Sequence, residues 1–172
     1  AHAQAAVAAA ERLRVRLPLT KALARGRGLA MSLGDFSTAR AYSDRALELR
    51  PRDRNQLASR MLIECEQGHF DRCEEYLQRL LESDGEGFDR FLSWASYHAA
   101  HCARLSGNAH WRETAKSLAQ RALSRGEVAS GYELGARKAL ALVAMEEADP
   151  IAVEREYEAI KTVLGRLNEE MR

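Results

Sequence analysis

The chain has 172 residues, with 26 Lys and Arg against 25 Asp and Glu, and three Cys. That length holds one domain with a sizeable core, and a net charge of +1 supplies no field to draw it to nucleic acid or to an anionic membrane. No apolar run approaches the ~18 residues of a membrane span, no signal peptide is visible, and three scattered cysteines without a CxxC suit a reducing cytosol, so a cytoplasmic protein is expected.

Alanine, leucine, arginine and glutamate dominate and there are only three prolines, which points to an all-α class. Ala3–Leu17 reads as an alanine-rich helix ended by Pro18. This segment, 1–18, serves as the second helix of a preceding unit or as an N-terminal cap. Thr20 is placed to N-cap the next helix, Lys21–Leu33. Gly26 and Gly28 weaken that helix by roughly 1 kcal/mol each relative to alanine, which is tolerable where a neighbouring helix crosses closely. Phe36–Leu49 completes a first hairpin (20–51), with Pro51 beyond its end.

A second hairpin (54–84) uses Arg54–Gln67 and Asp71–Glu82. Ser83–Gly87, SDGEG, is the clear loop insertion. A third (88–125) pairs Asp89–Leu105 with Trp111–Ser124 around a longer turn, Ser106–His110. A fourth (127–164) pairs Glu127–Glu147 with Ile151–Leu164, with Pro150 at the first helical position. The polar tail 165–172 is expected to fray. Starting at Ala1 without methionine, the chain reads as a piece of something larger.

The first two hairpins repeat one another. Set 34 residues apart, Leu33–Asp53 and Gln67–Asp84 match Gly34 with Gly68, Phe36 with Phe70, Ala39 with Cys73, Tyr42 with Tyr76, Arg45 with Arg79, Leu47 with Leu81 and Glu48 with Glu82. A period of 34 is the mark of the tetratricopeptide repeat (TPR), and the chain resembles that family. The resemblance implies a right-handed solenoid, a superhelix of about four helix-turn-helix units. In each unit the glycine closes helix A, and a small residue early in helix B allows the close A–B crossing. Phe36, Tyr42, Leu47 and their partners supply buried surface, at roughly 1.5–3 kcal/mol for each large apolar side chain fully buried. Ala115, Leu118, Ala122 and Leu123 repeat Ala39, Tyr42, Ala46 and Leu47 at a spacing of 76.

In this architecture helix A residues line a concave groove. Counting from the turn glycines places there Lys21, Arg25 and Met31, then Asn55, Ser59 and Leu62, then Tyr97, His98, His101 and Arg104, and finally Lys138. Such a groove is basic with an apolar and aromatic floor, suited to a peptide with acidic and apolar groups; the alternative is a set of solvated positions or a face against an adjacent domain. The chaperone-binding class of these repeats holds a terminal carboxylate with an asparagine where this chain has Gly28, which disfavours that reading.

His98, His101 and Cys102 share a helical face, but structural zinc wants four ligands and no second cluster is apparent. Nor does any acid orient a Cys–His nucleophile. No P-loop or EF-hand is found. Trp94 and Trp111 are expected in the core. No catalytic residue, metal or cofactor is expected.

The run RGRGLAMSLGDFSTARAYSDRALELRPRDRNQLASRMLIECEQGHFDRCEEYLQRLLE is similar to TPR-like regions of large bacterial signalling regulators. Those regulators carry an ATPase module with a class III nucleotide cyclase, a kinase or a LuxR-type DNA-binding domain. CARLSGNAHWRETAKSLAQRAL and ELGARKALALVAMEEADPIAVEREYEAI resemble the continuation. The chain contains none of those catalytic or DNA-binding segments. The resemblance therefore implies an interaction or regulatory module for a protein or peptide ligand, or for adjacent domains of the same polypeptide. The alternative is a structural spacer, a homodimerising element or a free-standing adaptor.

Overall fold

In the computed structural model, residues 5, 7–9, 16–83, 89–124 and 130–170 are described, and among them every regular element is helical. The helices are α1 (Arg16–Ser32), α2 (Phe36–Leu49), α3 (Arg54–Glu66), α4 (Phe70–Leu81), α5 (Asp89–Ser106), α6 (Ala109–Leu123), α7 (Ser130–Glu146) and α8 (Pro150–Glu170). No described helix is long and apolar enough to cross a membrane. The chain divides into two compact units, Ala1–Ser83 and Asp84–Arg172. In unit 1, α1 packs on α2, α2 on α3 and α3 on α4; in unit 2, α5 packs on α6, α7 on both of them, and α8 on α7.

One turn device closes α1, α3 and α7, whereas at the α5–α6 turn Gly107 (φ +67°) donates one turn back, to the Ala103 carbonyl (2.8 Å). At Gly68 φ is +70°, the Gly68 amide donates to the Cys65 carbonyl (3.0 Å), and the His69 amide reaches back to Glu64 (2.9 Å). This satisfies two carbonyls that the helix end would leave bare. The α1–α2 turn repeats the pattern through Gly34 and Asp35. At the α7–α8 turn the left-handed residue is Ala148 (φ +53°), which bears a Cβ penalty that glycine escapes. At two of these turns the next residue then caps the second helix: Asp35 accepts from the Thr38 amide (3.0 Å), and Asp149 from the Ile151 and Ala152 amides (3.1 and 3.0 Å), whereas His69 makes no side-chain cap bond to α4. Hydrogen bonds from Thr38 hold the Asp35 carboxyl below the usual carboxylate range.

Several expected boundaries shift. The first described long helix starts at Arg16 and includes Pro18 and Thr20, so Pro18 does not end a helix and Thr20 does not cap one. Proline is tolerated in a first turn because those amides have no intrahelical acceptor, and Thr20 is buried. The third turn is not longer than its predecessors. Only Gly107 and Asn108 separate α5 from α6, and Asn108 caps α6 by accepting from the His110 amide (2.9 Å). The extra residues lengthen α6 at its start instead. The tail is helical to Glu170, with Pro150 at the first position of α8 as expected. The SDGEG insertion beyond Ser83 and the start of the fourth hairpin at 127–129 lie outside the described residues.

Small residues mark the crossings. Ala39 and Cys73 are fully buried, Ala39 in a cluster with Ala30 and Ile63, while Ala46 packs with Leu19 and Leu23. Phe36, Tyr42, Phe70 and Tyr76 are only half-buried; Phe36 and Tyr42 pack on the Ala30–Ala39–Ile63 and Leu19–Leu23–Ala46 clusters while keeping part of their surface exposed. Gly26 meets Tyr42: a Cβ built on it would lie 2.9 Å from a ring carbon, whereas one on Gly28 meets nothing within 4 Å. The close crossing thus accounts for Gly26 alone. Gly28→Ala is expected to stabilise the chain by about 1 kcal/mol through helix propensity. Gly26→Ala is expected to destabilise it by displacing the ring, and thermal melts of the two variants should move in opposite directions.

Ser43 is fully buried, and its hydroxyl is without a hydrogen-bond partner. Leu77 and Ala119 hold the matching positions in α4 and α6 and are buried too. A buried hydroxyl left unsatisfied costs about 1–3 kcal/mol. Ser43→Ala is therefore expected to raise stability by about 1 kcal/mol in urea unfolding; a loss would mean that the hydroxyl is satisfied by water.

Candidate functional site

The described helix-A faces form a recess between α5 and α7. On α5, Leu92, Ala95, Ala99, Cys102 and Ala103 are buried with a helical period, which turns Trp94, Tyr97, His101 and Arg104 outward. On α7, Ala136, Ala139 and Val143 are buried. The two helices approach closely because Gly135 faces Ser93; a Cβ there would lie 2.4 Å from the serine Oγ. That approach lets the Ser93 hydroxyl donate to the Tyr132 carbonyl.

The result is a cleft of about 300 Å³. Trp94, Tyr97 and His98 line one side, and Gly131, Leu134, Gly135 and Lys138 the other. Phe91 meets Trp94 edge to face at 5.9 Å and 81°, which fixes the indole, and Tyr97 stands against His98 at 6.0 Å. Trp94 is 42% exposed and Tyr97 38%. The lining offers aromatic faces, a bare stretch of helix backbone and one ammonium. These can hold an apolar group beside an anion.

Of the residues expected in a groove, the structure brings Tyr97, His98 and Lys138 together. His101 and Arg104 continue the same face of α5, with Arg104 Nη2 3.3 Å from His101 Nδ1. In unit 1, Lys21, Arg25 and Asn55 are exposed, and Ser59 and Leu62 half-buried. The Ser59 hydroxyl donates to the Asn55 carbonyl (2.7 Å). Met31 packs on the Ala30–Ala39–Ile63 core. The clefts of about 400 and 430 Å³ in unit 1 are lined by none of these six: both include Pro51 and Arg52 of the α2–α3 turn, and the first also Leu57 on α3 and Arg79, Glu82 and Ser83 at the end of α4.

Trp94 was expected in the core and is instead a wall of the cleft. The signal was present, since counting back from Gly107 as from Gly34 gives Trp94 the place of Lys21. Trp111 is buried, as expected. Among the described residues, His98, His101 and Cys102 do not bring three ligand atoms together.

A charged cluster lies outside this cleft. Glu64 is 0% exposed on α3 and accepts from Arg60 Nε (2.6 Å) and from Arg40 Nε and Nη2 (3.0 and 2.8 Å), with His69 Nδ1 at 3.0 Å. Arg60 also bonds Asp44, and its guanidinium lies over the Tyr76 ring at 5.3 Å. Burial pushes the Glu64 carboxyl up, but the hydrogen bonds and charge of Arg60, with His69 and Arg40, outweigh it and hold the group below the usual carboxylate range. In unit 2, buried Glu156 accepts from Arg137 (3.2 Å) and Arg155 (3.0 Å). Every acid here has a cation, so these clusters fasten helices together and leave no free acid–base pair. Comparison with protein families, characterised proteins and solved structures finds no match to this chain.

Proposed function

We propose that the chain is a right-handed TPR-like solenoid of about four helical hairpins. It serves as a protein–protein interaction and regulatory module within a larger bacterial signalling protein of the cytoplasm. The turn shared by three hairpins and the fully buried Ala39, Cys73 and Ala115 support the repeat reading. The observation that carries the function is the α5–α7 cleft, where two aromatic rings stay substantially exposed beside a lysine. Binding is non-covalent. The inner face captures a peptide or an adjacent domain, and small rotations between hairpins pass the event to an attached output domain.

Selection of displayed peptides on the whole chain tests this. Selected peptides should lose about tenfold in affinity on Tyr97→Ala, with helical circular dichroism unchanged. Arg25→Ala should weaken capture less, through lost charge alone. If no peptide is selected, or if selected peptides ignore both changes, the inner face is not the binding surface.

A further inference from the structure

We infer that the α5–α7 cleft takes one bulky apolar side chain of an acidic peptide segment, with a neighbouring carboxylate held by Lys138. The inference rests on the module reading above and adds the chemistry of the ligand.

Three features carry it. Gly131 and Gly135 lie one turn apart on α7, so the cleft floor between them is helix backbone. Of the two, only Gly135 is required by packing, because its Cβ would strike Ser93; a Cβ on Gly131 meets nothing within 4 Å. Gly131 has no packing reason to be glycine, and what it provides is open space above the backbone. Leu134, Trp94 and Tyr97 surround that space with apolar and π surface, held upright by the Phe91–Trp94 contact. The volume of about 300 Å³ is at the small end for ligand sites, which fits one side chain rather than a cofactor.

Charge decides the flank. Lys138 is exposed at the cleft and, among the described residues, no carboxylate lines it, while Arg104 extends the same face of α5. A basic peptide would meet like charge at Lys138, whereas an acidic one finds a partner there and in Arg104.

The probes are the pentapeptide Glu-Glu-Leu-Asp-Glu, its counterpart with serine at the centre, and a leucine-centred version with lysines at the other four places. Trp111 is buried, so quenching by acrylamide reads mainly Trp94. The acidic leucine peptide should protect that fluorescence saturably; the serine and lysine peptides should bind at least tenfold more weakly. Gly131→Leu fills the space while raising helix propensity. It should keep or raise Tm and abolish protection. Lys138→Gln should weaken binding about two- to fivefold, the worth of an exposed ion pair.

Equal binding by the serine peptide would overturn the apolar anchor, and equal binding by the lysine peptide the acidic partner. Protection that survives Gly131→Leu would place the peptide elsewhere. If the acidic leucine peptide fails while display-selected peptides still depend on Tyr97, this ligand chemistry is wrong and the module reading stands.

Discussion

Replacing Glu64 with alanine is expected to destabilise unit 1 by about 3 kcal/mol at neutral pH, which is the low end for breaking a buried ion pair. The residue lost is itself fully buried, but the damage lies in what remains. Arg60, whose side chain is 4% exposed, keeps the half-exposed Asp44, the Arg40 carbonyl and the Tyr76 ring, yet loses its one fully buried counter-charge. Arg40, 28% exposed, can turn to water, which is why the low end is expected. Urea unfolding followed by circular dichroism gives the magnitude, and amide exchange in α2–α4 locates it. A loss under about 1 kcal/mol would mean that water reaches Arg60 and that the cluster behaves as a surface pair.

Acid adds a second reading of the same site. Because the folded state holds the Glu64 carboxyl below its ordinary value of about 4.3, its contribution is fully present above that pH. It is lost as pH falls through the lower, folded value. The stability gap between the native chain and Glu64→Ala should therefore be full near neutrality and narrow in acid.

This position shows what was legible in the sequence and what was not. The period of 34 places Glu64 over Ala30, and counting from the other turns places Ala103 and Ala144 there; all four are buried. Periodicity thus predicts burial at this position, and alanine fits it in three hairpins. It is blind to the chemical exception. Arg60 and Glu64 stand four apart, a spacing equally common on solvated helix faces, and only the crossing of α2 over α3 takes them from water. The same holds for Gly26 and Arg60, which share a repeat position against Tyr42 and Tyr76. One meets the ring with bare backbone and the other with a guanidinium.

Turn glycines, small crossing residues and helix order were readable because they are local or periodic. The course of α1 through Pro18 was not, since proline is compatible with both a stop and a first turn. Of the cleft, Tyr97, His98 and Lys138 followed from the count. Trp94 was lost to the general expectation that tryptophan is buried, whereas here it is 42% exposed in the cleft wall.

Gly135→Ala should destabilise unit 2 by about 2 kcal/mol, against a helix-propensity gain of about 1 kcal/mol for replacing glycine in a helix interior. The sign follows from contact. The new methyl would stand 2.4 Å from Ser93 Oγ, but the next atoms of Ser93, its Cβ and carbonyl oxygen, are both 3.7 Å away, ordinary van der Waals distance. The hydroxyl cannot retreat freely, because Ser93 is fully buried and its Oγ is bonded to the Tyr132 carbonyl. Either α5 and α7 part or the serine rotates and leaves its partner. Removing the hydroxyl removes the collision: in a Ser93→Ala background the same Gly135→Ala change should be neutral or stabilising, with a coupling of about 2 kcal/mol in a double-mutant cycle. Additive losses would mean that backbone approach, and not the serine, demands the glycine. The cycle also bears on the cleft, since parting α5 from α7 would move Trp94 and Tyr97 away from Leu134 and Lys138. A peptide that binds there should therefore lose affinity in Gly135→Ala and regain it in the double variant.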